Sequence, residues 1–165
     1  MMINVNKVMQ AMFLYYSGDP RRIQHFIKVH SYAKIIGEME QLDNNTQEML
    51  EVTAVIHDIG IKVSEEKYNS SAGNYQQIEG PAVAKKMLTE LGYSKEFIDR
   101  SCYLIAHHHT YKDIDGIDYQ ILVEADFLVN IYEEEIAQDK IAAIRDKIFR
   151  TQSGILLLNN IYKNI

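Results

Sequence analysis

Apolar side chains recur at three- and four-residue intervals through most of the chain, the spacing that lines one face of an α-helix. Val5, Val8, Met9, Met12 and Phe13 predict a first helix over residues 4–16. Ser17-Gly18-Asp19-Pro20 then reads as a stop followed by a start, because Asp19 is a good N-cap and Pro20 a good first helical residue. A second helix follows over about 20–41, with Ile23, Phe26, Ile27, His30, Ala33 and Ile36 on its buried side. Asp43 to Thr46 caps a third, whose Leu50, Val52, Ala54, Val55 and Ile56 run into His57-Asp58. Residues 62–77 are polar and read as a loop with at most a helical turn over 64–68. Such a loop, coming straight after His57-Asp58, is placed to cover a site. Gly80-Pro81 is expected to open a helix that Gly92 ends, and Ser94 to cap another that reaches His107-His108-His109. A polar turn over 110–118 precedes a strong helix over 119–135 and two shorter ones over 140–149 and 153–162. No stretch shows β alternation, and there is no repeat or linker. The pattern implies an all-α, single-domain helical bundle spanning 1–165.

Composition adds limits. A chain of 165 residues, 47% hydrophobic and 24% charged, can build one sizeable core without staples. Its formal net charge of −6 disfavours nucleic acid and anionic membrane as partners while leaving room for a local basic pocket. Cys102 is the single cysteine, so no intrachain disulfide can form, which suits the cytoplasm. The first seven residues lack a signal peptide's pattern, and no apolar run approaches the roughly 20 residues that span a bilayer.

The chemistry concentrates at Ala54-Val55-Ile56-His57-Asp58-Ile59-Gly60, where an apolar helix meets adjacent imidazole and carboxylate groups. Taken alone, such a pair usually just satisfies backbone at a helix end. Neighbouring helical side chains also point about 100° apart, and a metal is one way to make the two converge. His25 and Asp126 change the weighing. Each stands beside buried positions on another helix, and helical bundles build metal sites from inward-facing groups on facing helices. His30 competes with His25 on spacing alone.

Three segments carry a family resemblance: His25-Phe26-Ile27-Lys28-Val29 with Ala33, the His57-Asp58 segment, and Glu124-Ala125-Asp126. Over roughly residues 21–132 the chain resembles the HD-domain superfamily of metal-dependent phosphohydrolases. That resemblance implies a metal held by His25, His57, Asp58 and Asp126, with His25 preferred to His30 by register. Branches with two metals have further histidines, which His108 and His109 resemble, with His107 as an alternative; Glu79 stands where such branches often place another ligand. The ion would be Fe, Mn, Ni, Zn, Co or Mg, one or two per chain. The implied reaction is hydrolysis of a nucleotide or related phosphate ester by metal-activated water, with Asp58 and Lys62 as catalytic candidates. Lys62, Lys67, Tyr68 and Arg22, with Arg21 beside it, are candidates to touch substrate. The 115–119 segment departs from the motif of cyclic-dinucleotide phosphodiesterases in the same superfamily, so that activity is not implied. A non-catalytic ligand-sensing module is the alternative, a plain helical interaction domain a third reading, and a homo-oligomer is allowed.

Overall fold

Burial of the apolar stripes decides how the helices pack. The protein's computed structural model describes residues 4–165, and they form nine α-helices without a strand. These are α1 (Val5–Tyr15), α2 (Pro20–Met39), α3 (Asn44–Ile56), α4 (Ile61–Tyr68), α5 (Gly73–Glu90), α6 (Lys95–His107), α7 (Ile117–Glu133), α8 (Gln138–Ile148) and α9 (Gln152–Ile161). Caps foreseen from the sequence bond their first turns. Asp19 accepts from Arg22 N, Asp43 from Thr46 N and Ser94 from Phe97 N.

Helix α3 is the centre. Val52 to Ile61 is buried without a break, the mark of a helix covered on every side. Met49, Leu50 and Ala54 face one core, shared with Val29, Ala33 and Ile36 of α2 and with Leu122, Ala125 and Val129 of α7. Val52, Val55, Ile56 and Ile59 face a second core with Val8, Met12, Phe26, Leu88 and Ile105. At about 25 cal/mol per Å² of apolar surface, these two cores are the main favourable term in folding. Among the described residues no helix is long and apolar enough to cross a membrane.

The stretch expected to be a loop over 62–77 is helical instead. It divides into α4 and the first turn of α5, joined by a short link in which Asn69 takes a left-handed conformation at φ 51°. The signal was weak because both segments lie on the surface. In α4 only Ile61 and Ser64 are buried, too few for an apolar period to emerge. Gly80-Pro81 likewise does not open a helix; Pro81 lies inside α5. Gly80 is needed there for another reason. A Cβ on it would sit 2.8 Å from Ile105 Cγ2, and one on Gly60 would sit 2.6 Å from Gly80 N. The two glycines let α5 close directly onto the turn that carries His57 and Asp58.

Candidate metal centre

Three elements meet at the centre of the bundle. His25 lies in the second turn of α2, its side chain between α3 and α7. His57 and Asp58 occupy the turn after α3, and Asp126 lies on the buried face of α7. Because α3 ends at Ile56, the next two side chains need not diverge as they would on a continuing helix. Tyr16 holds the turn in place: its hydroxyl donates to Ile59 O at 3.1 Å and accepts from Lys62 N at 3.1 Å. Nothing in the apolar pattern marked Tyr16 for this.

The donor atoms nearly touch. His25 Nε2 lies 3.2 Å from His57 Nε2, 3.2 Å from Asp58 Oδ2 and 3.5 Å from Asp126 Oδ1. His57 Nε2 lies 3.3 Å from each of the same two oxygens. Donors bound at about 2.1 Å around one ion lie roughly 3–3.5 Å from one another, so this set fits a single divalent cation. Nitrogen with carboxylate oxygen suits several transition metals. His57 Nδ1–H donates to Ala54 O at 2.8 Å, which leaves the Nε2 lone pair directed inward.

Asp58 reaches both ways. Its Oδ1 lies 3.0 Å from His108 Nε2 and 3.8 Å from His109 Nε2, so Asp58, His108 and His109 form a second group able to hold an ion. The Gln76 amide lies against His109 Nε2, and its own Oε1 is buried without a hydrogen-bond partner. A buried oxygen without a partner is a feature a bound ligand would satisfy.

The charges follow from this crowding. Burial disfavours an ionised Asp58, but His57, with hydrogen bonds from His108 and His25, holds its carboxyl well below the usual range. Asp126 is held low against the same burial by His25 and His57. Burial opposes a cationic His25, yet Asp126 and Asp58 push it up to about 9, and His57 rises in the same way through Asp58 and Asp126. Burial and the neighbouring His108 lower His109 to about 4, so it is neutral at pH 7, with its Nε2 facing the Gln76 amide. Protons and a divalent cation thus compete for the same donors.

A polar cleft of about 380 Å³ opens onto the cluster, lined by Arg21, Arg22, His25, Asp58, Ser71, Gln76, His109, Asn130, Glu133 and Glu134 among others. Gln76, Asn130 and Glu133 had no signal in the sequence; each is polar and was hidden among solvated neighbours. Other expected residues lie elsewhere. Glu79 does not join the cluster, because its carboxylate accepts from Lys67 at 3.1 Å and from Tyr68 at 2.7 Å. Lys67 and Tyr68 are thereby committed to Glu79, and neither lines the cleft. Lys62 also misses it: Nζ donates to Tyr15 O and stands 4.8 Å over the Tyr15 ring. Lys67 and Tyr68 were assigned on the expectation of a loop folding over the site, Lys62 as the cation nearest His57-Asp58 and Glu79 by its place in the resemblance. Helices α4 and α5 instead pair these groups with one another or with Tyr15, away from the cluster. His30 pairs with Glu51 at 3.0 Å, and His107 bonds Tyr103 O, so neither competes for the cluster.

Comparison with known proteins follows this geometry. The HD domain family matches the sequence over residues 22–150. No curated protein matches it significantly. The crystal structure of a predicted HD superfamily hydrolase from an uncultured Thermotogales bacterium aligns with a TM-score of 0.70 at 18% identity, covering 95% of this chain and 84% of that one. That likeness speaks for the fold. With most of its length matched, and His25, His57, Asp58 and Asp126 all inside the matched segment, the chain belongs to the HD domain family.

Proposed function

We propose that this protein is a metal-dependent phosphohydrolase that uses water to cleave a nucleotide or a related small phosphate ester. The observation that carries the reading is the convergence of His25, His57, Asp58 and Asp126 at 3.2–3.5 Å, with His25 and Asp58 lining a polar cleft that has arginines on its wall. A divalent ion in such a donor set brings a water's pKa toward neutrality and polarises a phosphoryl oxygen.

The remaining work belongs to side chains. His25, His57, Asp58 and Asp126 hold the ion. Asp58, whose Oδ1 lies 3.0 Å from His108 Nε2, would also help orient the attacking water. Arg22 binds a phosphate oxygen after leaving Glu65, an ion pair half exposed on the acid side and so held by about 1 kcal/mol or less. Arg21 stands beside it on the wall. Asp58, His108 and His109 could take a second ion. The lone half-buried thiol of Cys102 and the net charge of −6 agree with a cytoplasmic enzyme acting on small molecules rather than on nucleic acid.

The test is elemental analysis of purified protein together with release of inorganic phosphate from a panel of nucleotides and simple phosphate esters. The expected result is bound metal, turnover of at least one ester, and loss of both in His57→Ala and Asp58→Ala. A protein that takes up none of manganese, iron, cobalt, nickel, zinc or magnesium overturns the reading. So does full turnover by Asp58→Ala.

A further inference from the structure

Three buried imidazoles face the centre, and two of them are aimed by backbone. His57 Nδ1 and His108 Nδ1 each donate at 2.8 Å to a carbonyl three residues earlier, Ala54 O and Ile105 O. Those acceptors are neutral, and no side-chain substitution removes them. His25 is held differently. It sits in the second turn of α2, and its Nδ1 lies 3.3 Å from both carboxylate oxygens of Glu133, the last residue of α7. Glu133 is itself gripped by Lys28 Nζ at 2.8 Å, one turn along α2 from His25. Its side chain is 21% exposed and lines the cleft.

Helical register ties these parts together. Asp126, Asn130 and Glu133 fall on one stripe of α7, while His25 and Lys28 share a face of α2. Asn130 Nδ2 donates to Asp126 Oδ1 at 3.1 Å. One face of α7 therefore carries both a ligand of the centre and the group that steers another ligand. An anionic acceptor on one imidazole nitrogen fixes the tautomer and makes the other nitrogen a stronger donor, which a backbone carbonyl does less well.

We propose that Glu133, steadied by Lys28, is a positioning residue for the metal centre. It holds the His25 ring with Nε2 toward Asp58 and Asp126 and sets how tightly the centre binds its ion. This rests on the metal-centre reading above. Of the three imidazole supports, it is the one that a substitution, or a ligand in the cleft, can alter.

The test is competition between the full-length protein and a chromogenic chelator for Zn²⁺ and Mn²⁺, with Co²⁺ absorption as a second readout. Glu133→Gln keeps an acceptor but loses the charge, and should weaken ion affinity about 10-fold. Glu133→Ala loses both and should approach 100-fold. Lys28→Met keeps the carboxylate and should lose less than either. The visible spectrum of the Co²⁺-saturated protein should shift in Glu133→Gln, a change that a surface ion pair of merely structural value would not cause. Affinities within twofold of wild type with an unshifted cobalt spectrum would overturn the inference, as would a larger loss in Lys28→Met than in Glu133→Gln. A wild-type chain that takes up none of these ions would overturn the metal-centre reading itself, and this inference with it.

Discussion

Gly60→Ala sets two opposed effects against each other at the heart of the site. Gly60 has φ −75° and ψ −9°, a conformation alanine adopts freely. Restricting the unfolded chain would by itself stabilise the variant by about 0.4–1 kcal/mol. Packing acts the other way. The new Cβ would lie 2.6 Å from Gly80 N, 2.7 Å from Gln76 O and 2.8 Å from Gly80 Cα. All three are backbone atoms of α5 and cannot rotate aside. Since carbon contacts are comfortable only from about 3.5 Å, α5 must retreat by about 0.7–0.9 Å at this turn. Overpacking of this kind costs about 1–3 kcal/mol, so the net expectation is a loss of about 1–2 kcal/mol in urea unfolding. Helix α5 carries Gln76 and packs on α6, which leads into His108 and His109, so the shift reaches the cleft wall. Misplacement by about 1 Å can cost 100-fold in rate, and turnover should fall at least tenfold while the four-donor cluster still binds metal. Gly37→Ala is the control. Its Cβ would meet only the flexible end of Gln47, at 2.3 Å, and that amide can swing away. It should stay within about 0.5 kcal/mol of wild type, since the gain in helix propensity offsets the displaced side chain. A Gly60→Ala protein as stable and as active as wild type would refute the account of how α5 is seated.

The same reasoning extends to other positions. Gly154→Ala would put a Cβ 2.0 Å from Glu124 Oε1. That carboxylate is fully buried and accepts from Thr151 Oγ1 at 2.6 Å, Thr151 N at 3.1 Å and Gln120 Nε2 at 2.6 Å, so a loss of about 3 kcal/mol is expected; an unchanged melting temperature would count against it. In chelator-treated protein, His25 is raised from 6.5 to about 9, so its stabilising contribution is complete below pH 6.5 and fades as pH climbs to 9. Asp58 and Asp126, held low, contribute above about pH 4 and lose that contribution in acid. Melting temperatures of metal-free protein should therefore fall between pH 7 and 9, those of loaded protein should not, and metal uptake should release protons on calorimetry; parallel pH profiles of the two forms would contradict this. Arg100→Gln breaks a fork to Asp115 at 3.0 Å and Asp118 at 2.7 Å that ties down the segment before α7. The Arg100 side chain is 29% exposed and that of Asp118 only 11%, whereas Asp115 stands 46% exposed, so the cost should be about 1–2 kcal/mol and the part owed to Asp115 should shrink in high salt, which a salt series of thermal melts will check.

Local patterns along the chain were enough for much of this molecule. The periods of α1, α2, α3, α6 and α7, and the caps at Asp19, Asp43 and Ser94, depend on interactions within a few residues, and such interactions are written in order along a sequence. The all-helical architecture follows from them. The motif segments at His25, His57-Asp58 and Asp126 stand on or at the end of helices legible in the sequence, which put them beside buried positions. Spacing, however, placed His30 on the buried side of α2, and only the resemblance preferred His25, which is the buried one. Tertiary structure decided what depends on who the neighbour is. The polar surfaces of α4 and α5 looked like a loop because only one or two residues per turn are buried. Whether Lys62, Lys67, Tyr68 and Glu79 face the cleft depends on where those helices sit. Gln76, Glu133 and Tyr16 act through partners 33 to 108 residues away; Asn130 bonds Asp126 within its own helix but reaches the cleft only because of where α7 sits. Periodicity reports which side of a helix is dry. It does not report which distant side chain waits there, because that is settled only when two glycines let α5 close on the His57-Asp58 turn and α2 and α7 lock in register.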